Sequence, residues 1–257
     1  MDYLNYFNNT ITVISFVVNL MFVIPLVIKI YEYFTKKRFV KKVLGFNKEP
    51  FQISHCTFEL ETLSGSKNNF ITYASVISMN NVINLFNIIG QKFYLVEKPI
   101  DEKNEINIGG FSANRKVSAY FAKYFKNFKY IEAKEKEECF KKQDIDMRIF
   151  EFNEEGKKGF RIDDVFLETT SRISDYAFLI KLVKSDFKND NEKTVHIVFG
   201  GGDIGTIKAT EYLLTHYKQI YEEFGENHYF FALEVNRVDN SINYAKGIID
   251  LTDRMFR

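Results

Sequence analysis

Lys193–Gly225 reads KTVHIVFGGGDIGTIKATEYLLTHYKQIYEEFG, and the fold is decided there. Val195, Ile197 and Phe199 alternate as strand residues do. Gly200-Gly201-Gly202-Asp203-Ile204-Gly205 then turns the chain. Ile207, Tyr212, Leu213, Tyr217 and Ile220 follow at helical spacing, which predicts one helix from about Thr206 to Phe224, closed by Gly225. The unit is strand, glycine turn, helix.

An earlier stretch repeats that plan. In Glu105–Phe125, EINIGGFSANRKVSAYFAKYF, Ile106 and Ile108 precede Gly109-Gly110. Ser112 suits a helix cap, and Val117, Tyr120, Phe121, Tyr124 and Phe125 form an apolar stripe. Around these units, Phe51–Leu60, Phe70–Val76, Phe93–Val96, Ala177–Val183 and Tyr229–Val235 read as strands, with a weak one at Ile248–Leu251. Met79–Ile89 reads as a helix ending at Gly90. Met147–Phe152 and Phe160–Leu167 flank a turn and read as a hairpin. Residues 132–144 read as a charged connector. The fold class expected is α/β: a Rossmann-like sheet domain over 51–257 with a β-hairpin insertion, preceded by one N-terminal transmembrane helix.

That helix is read from Ile11–Ile28, ITVISFVVNLMFVIPLVI. No charged residue lies between Asp2 and Lys29. About 20 apolar residues cross the hydrocarbon as a helix, and the span is placed at 11–33. Tyr3, Tyr6, Tyr31 and Tyr33 stand at its ends as an aromatic belt. Residues 1–48 carry Lys29, Lys36, Lys37, Arg38, Lys41, Lys42 and Lys48 against Asp2 and Glu32, a net of +5 in a chain of net +1. The basic cluster follows the span, so the positive-inside rule puts 1–10 outside, 34–50 as a basic cytoplasmic neck, and the rest in the cytoplasm at the inner membrane. Pro25 threatens a kink, and Asn19 is a candidate for contact with a second copy.

With 46% apolar and 27% charged residues, the chain has the composition of a folded protein and not of a disordered one. The region after residue 48 is slightly acidic, which argues against sequence-independent nucleic-acid binding. Cys56 and Cys139 read as free thiols, and the four histidines have no zinc spacing.

Six of the 13 glycines fall in the two turns. A glycine turn from strand to helix lets backbone N–H groups approach an anion, and the helix start adds partial positive charge. The expected ligand set is Gly109, Gly110, Ser112, Asn114 and Arg115 from the first turn, with Gly200, Gly201, Gly202, Asp203, Gly205 and Thr206 from the second. In an open α/β sheet both turns face one crevice at the carboxyl edge. The competing reading is that tight turns need glycine for conformation alone.

VFGGGDIGTIKATEYLL resembles the glycine motif of the LOG/SLOG nucleotide-binding superfamily. The layout of a transmembrane helix joined to such a domain resembles bacterial defence effectors that sense a nucleotide messenger. The resemblance implies a Rossmann-like domain that binds a nucleotide messenger or an NAD-derived molecule through Gly200, Gly201, Gly202, Gly205 and Thr206. It covers about twenty residues. The PGGxGTxxE string of the enzymatic members is absent, and the turn lies nearer the C-terminus than theirs, which speaks against phosphoribohydrolase activity.

Asp203, Glu234, Asp163, Asp164, Glu168, Ser171, Ser174 and Asp175 are the candidates for chemistry. None falls in a triad, paired-carboxylate or metal spacing. No catalytic residue, metal or resident cofactor is therefore assigned. The expected function is a membrane effector in which an anionic, nucleotide-like signal rearranges a homo-oligomer and perturbs the membrane, as in abortive antiphage defence. An anchored enzyme cleaving a nucleotide or NAD, and a scaffold for a protein partner, remain the alternatives.

Overall fold

The computed structural model describes residues 2–45, 49–55, 57–61, 67–96, 103–110, 114, 116–117, 120–121, 147–152, 158–162, 165–168, 173–183 and 193–254. The first element is a single helix, α1 (Asp2–Leu44), 43 residues long, with Pro25 inside it. The sequence divides this region into a span and a neck, but the helix runs through both. The reason is in FVKKVL. Val40, Val43 and Leu44 recur on one helical face and are buried to 0–1% exposure, so packing extends the helix past the lysines. Gly45 closes it at φ +66, its N–H donating to Lys42 O at 3.2 Å. Among the described side chains of α1, which leave out most of the run before Leu20, no stretch is long and apolar enough to cross a membrane.

β1 (Phe51–Ser54) starts just after α1. The expected strand Phe51–Leu60 is two strands. β2 (Thr57–Glu61) turns away to pair antiparallel with β3 (Lys67–Ile71). The strand expected at Phe70–Val76 ends at Ile71, because Thr72 caps a helix. Its hydroxyl accepts Ser75 N–H at 3.1 Å, and α2 runs Tyr73–Ile89, six residues longer at its start than the periodicity suggested. β4 (Phe93–Val96) and β5 (Glu105–Ile108) follow. The expected hairpin is a three-stranded antiparallel sheet, β6 (Met147–Phe152), β7 (Lys158–Ile162) and β8 (Val165–Glu168), since the run Phe160–Leu167 folds back on itself. The charged connector at 132–144 lies outside the described residues.

β9 (Ser174–Leu182), β10 (Val195–Gly200) and β11 (Tyr229–Asn236) complete the core, with the short β12 (Ser241–Ile242) and β13 (Ile249–Asp250) at its margin. The helix expected at 206–224 is two, α3 (Asp203–Thr215) and α4 (Tyr217–Phe224), divided at His216. That imidazole stacks on Tyr212 at 4.2 Å and meets Thr215 Oγ1 at 2.8 Å.

The main sheet has eight strands in the order β12-β11-β9-β10-β5-β1-β4, with β13 beside β11. β4, β1, β5 and β10 are parallel, β9 runs antiparallel to β10, and β11, antiparallel to β9, runs in the direction of β10. This is a mixed α/β sheet with helices on its faces, consistent with the Rossmann-like expectation. One face packs Phe51, Ile53, Ile106, Ile108, Leu179 and Phe231 against the end of α1, α2, α3 and α4. The other packs Ile180, Ile197, Phe178 and Phe199 against Val117, Phe121, Phe160 and Leu167, with Phe178 stacked on Phe199 at 4.7 Å.

Candidate functional site

The parallel strands set the geometry. The chain leaves β1 for β4 through α2 on one face. It leaves β5 toward the helical residues Lys116, Val117, Tyr120 and Phe121 on the other. Connections therefore diverge between β1 and β5, the switch point beyond whose carboxyl ends open α/β sheets place a ligand crevice. β1 and β5 are also where the second face turns polar. Gln52, Ser54, Glu105 and Asn107 all point there and are 0–2% exposed.

Buried polar groups must find partners, and these form one chain. Ser54 Oγ donates to Asn107 Oδ1 at 2.5 Å. Asn114 Nδ2 donates to Ser54 Oγ at 3.2 Å and to Ile108 O at 3.3 Å. Asn107 Nδ2 donates to Glu105 Oε2 at 3.1 Å. Glu105 Oε1 accepts from the Tyr120 hydroxyl and lies 3.5 Å from Lys193 Nζ, which donates to Tyr120 OH at 3.0 Å. The network runs from the amino ends of β5 and β10 to the crevice. Asn114 is at its outer end, held by its own N–H to Gly110 O at 2.8 Å.

The first glycine turn frames that end. Gly109 has φ +100 and gives its N–H to Val198 O at 2.9 Å, so the ladder to β10 continues through a backbone shape that suits glycine. A Cβ on Gly110 would touch Phe199 at 3.4 Å. Ser112 and Arg115, predicted with them, lie outside the described residues.

The second turn sits at the carboxyl end of β10, next to the first, but its donors are engaged by the protein itself. Thr206 Oγ1 accepts Gly200 N–H at 3.0 Å and donates to Gly202 O at 3.1 Å. Gly201 N–H goes to Tyr176 O at 3.1 Å. Asp175 places a carboxylate at the start of α3, where Gly205 N–H meets Oδ2 at 3.3 Å and Tyr176 N–H meets Oδ1 at 2.8 Å. Burial raises the Asp175 pKa, opposed by those N–H groups, by that of Gly202 and by the Arg237 charge. An internal carboxylate thus occupies the position a ligand phosphate takes at a helix start. The glycines make room for it. A Cβ on Gly201 would lie 2.4 Å from Asp175 Oδ1, and one on Gly205 2.5 Å from Tyr176 O. Gly200, Gly201, Gly205 and Thr206 therefore have a conformational role that accounts for them without a ligand.

Of the other candidates, Asp203 is the exposed first residue of α3. Glu234 pairs with Lys246 and is neighboured by Tyr176 and Asn243, so it does not face the crevice as a free base. Glu168 is exposed, Ser174 and Asp175 are buried, and Asp163, Asp164 and Ser171 lie outside the described residues. Sequence reasoning overlooked Ser54, Glu105, Asn107, Tyr120 and Lys193. The signal was present in the alternation of polar and apolar residues in FQIS and EINI. Two strands expected at the centre of a sheet, with one face polar, require a buried network above them. Among the described residues no group of three or more His, Cys, Asp or Glu gathers as a metal site.

In comparisons with known proteins, the chain matches no family model, no curated protein and no solved structure.

Proposed function

We propose that the chain is a membrane-anchored receptor–effector. In this reading α1 crosses a bilayer through its apolar run, the sheet domain lies on the cytoplasmic side, and an anionic, nucleotide-like small molecule binds in the β1/β5 crevice. Gly109, Gly110, Ser54 and Asn114 border the ligand there, with Gly109 N–H, Ser54 Oγ and Asn114 Nδ2 held in place by Val198 O, Asn107 Oδ1 and Ile108 O. The second glycine turn borders the site and Asp175 keeps it rigid. Binding favours one arrangement of a homo-oligomer over another, and the anchors move with the domains to perturb the membrane. Such a shift requires the ligand to bind the two arrangements unequally.

One observation carries the reading. The anchor helix ends inside the hydrophobic core, and β1, the strand that brings Ser54 to the crevice, begins after residues 46–50. A tether that merely held a domain at a membrane needs no such burial.

The test uses the full chain in nanodiscs. Particle mass and thermal unfolding are measured with and without a panel of linear and cyclic nucleotides and NAD derivatives. At least one ligand should raise the melting temperature and change the number of copies per particle, and Asn114→Asp should weaken both effects. If every nucleotide that binds leaves the copy number unchanged, the effector reading fails.

A further inference from the structure

We propose a second binding site, a cleft between α1 and α4 that takes the phosphate headgroup of an anionic phospholipid from the bilayer leaflet next to the sheet domain. It rests on the reading of α1 as a membrane span. The cleft has a volume of about 500 Å³ and is lined by Lys29, Glu32, Lys36 and Phe39 of α1 and by Tyr217 and Lys218 of α4, among others. That size suits a small-molecule site.

The α1 residues are spaced three, four and three apart, so they form one stripe along a single helical face. The opposite wall exists because α3 and α4 are separate helices. The break at His216 turns Tyr217 and Lys218 toward α1, and α4 is fixed there by Phe39 against Tyr221, with ring centroids 5.4 Å apart, and by Lys42 Nζ donating to Tyr221 OH at 2.7 Å.

Three ammonium groups face one carboxylate in this lining, so it favours an anion. Lys36 Nζ lies 5.8 Å from the Tyr217 ring centroid, which holds it at the cleft wall. Lys218 is exposed, with Glu222 at 3.6 Å. Lysine binds phosphate as a movable point charge and needs no fixed fork geometry.

The position selects a lipid over a dissolved anion. The apolar run ends at Ile28 and Ile30, which are 50% and 47% exposed, and the cleft begins at Lys29. Tyr31, Tyr33 and Phe34, 71%, 50% and 63% exposed, ring the same level, where aromatic side chains meet headgroups. A phosphate in the cleft leaves its acyl chains beside Leu26 and Ile30. Electrostatic attraction to an anionic leaflet contributes about 1 kcal/mol per lysine near the surface.

The experiment is native mass spectrometry of the full chain released from nanodiscs containing equal phosphatidylglycerol and phosphatidylcholine. The chain should retain phosphatidylglycerol preferentially, and Lys36→Gln with Lys218→Gln should reduce that retention roughly thirtyfold. Lys37→Gln, which removes one charge from α1 outside the cleft lining, should cost much less than the double variant. Millimolar inorganic phosphate should not displace the lipid. Equal retention by the double variant and the original chain overturns the headgroup site and leaves the span standing. So does an equal loss with Lys37→Gln, or displacement by free phosphate. Release of the chain from membranes by alkaline carbonate overturns the span and the site together.

Discussion

Lys181 offers the sharpest test of how α1 is seated. It lies in the middle of the sheet on β9, is 0% exposed, and donates to two backbone carbonyls, Glu226 O at 3.0 Å and Lys42 O at 3.4 Å. The second of these belongs to the last turn of α1, where a cation also suits the negative end of the helix. Burial lowers the Lys181 pKa from 10.5 to about 8, with Glu226 opposing the shift. At about 1.4 kcal/mol per pH unit, carrying the charge inside costs the folded state roughly 3 kcal/mol. The sign follows from linkage. Below pH 8 both folded and unfolded chains hold the proton and the cost is present in full. Between pH 8 and 10.5 the unfolded chain holds the proton and the folded chain does not, so this group makes stability rise with pH. His196, pushed down to about 3 chiefly by burial, stays neutral in that window, and Lys42, raised by its hydrogen bond to Tyr221, titrates above it. Lys181→Met removes the titration and keeps a chain of similar length. Urea unfolding of both proteins in one detergent, followed by far-ultraviolet circular dichroism, gives the difference in stability at each pH. The original chain should gain about 3 kcal/mol on the variant between pH 7.5 and 10.5. A difference that stays flat across that range would falsify the buried-lysine joint.

The glycine turn separates conformational from ligand roles. Gly201→Ala forces a Cβ to within 2.4 Å of Asp175 Oδ1 and 2.6 Å of Phe160 Cζ, and should lower stability by about 1–3 kcal/mol, read as a fall of several degrees in melting temperature. Gly202→Ala meets its nearest neighbour at 3.3 Å in an extended backbone, and should melt close to the original chain. Ser54→Ala leaves Asn107 Oδ1 without its donor in the interior, removes one of the two acceptors of Asn114 Nδ2, and should cost about 1–3 kcal/mol, measured by the same unfolding assay. Truncation should show where the domain begins. A chain starting at residue 29 keeps Val40, Val43 and Leu44 and should fold with a cooperative melt. One starting at residue 45 loses three side chains buried to 0–1% exposure, at roughly 1.5–3 kcal/mol each, and should aggregate or melt without a transition.

Much of the architecture was legible because it rests on period and punctuation. The strand–glycine–helix unit at Val195–Thr215 and the ends of α2 and α4 at Gly90 and Gly225 follow from patterns within a few residues of themselves. Errors arose where a distant contact decides. The neck lysines conceal a helix whose apolar residues, Val40, Val43 and Leu44, answer to α2 and α4 far along the chain. Thr72 looks like the middle of an apolar strand until its hydroxyl is seen capping α2. His216 divides one periodic stripe into two helices through its stacking on Tyr212, with Tyr244 on its other side at 5.6 Å, which no spacing announces. The candidate site was half legible. Glycine content located both turns and the sheet brought them together, but the sequence could not say that Asp175, nearly thirty residues upstream on another strand, would supply the anion for the second.

The seating of α1 also fixes what any signal must do. Its last carbonyls are met by Lys181 from β9 and, at Leu44 O, by His196 Nε2 at 3.2 Å from β10. Gly45 is pressed against Thr194, whose N–H is held by Asn104 Oδ1 at 2.7 Å. A helix tied to β9 and β10 cannot swing independently of the sheet, so α1 and the sheet turn as one lever. From residue 40 back to residue 11 the helix is roughly 45 Å long at 1.5 Å per residue. In the proposed assembly, a rotation of about 10° between neighbouring domains would displace the far ends of their α1 helices by roughly 8 Å, close to the spacing of packed helices. On the proposed reading, a small adjustment at the β1/β5 switch point, passed through contacts between copies, would make or break contact between their α1 helices. The basic neck expected at 34–50 is, as far as Leu44, the continuation of α1.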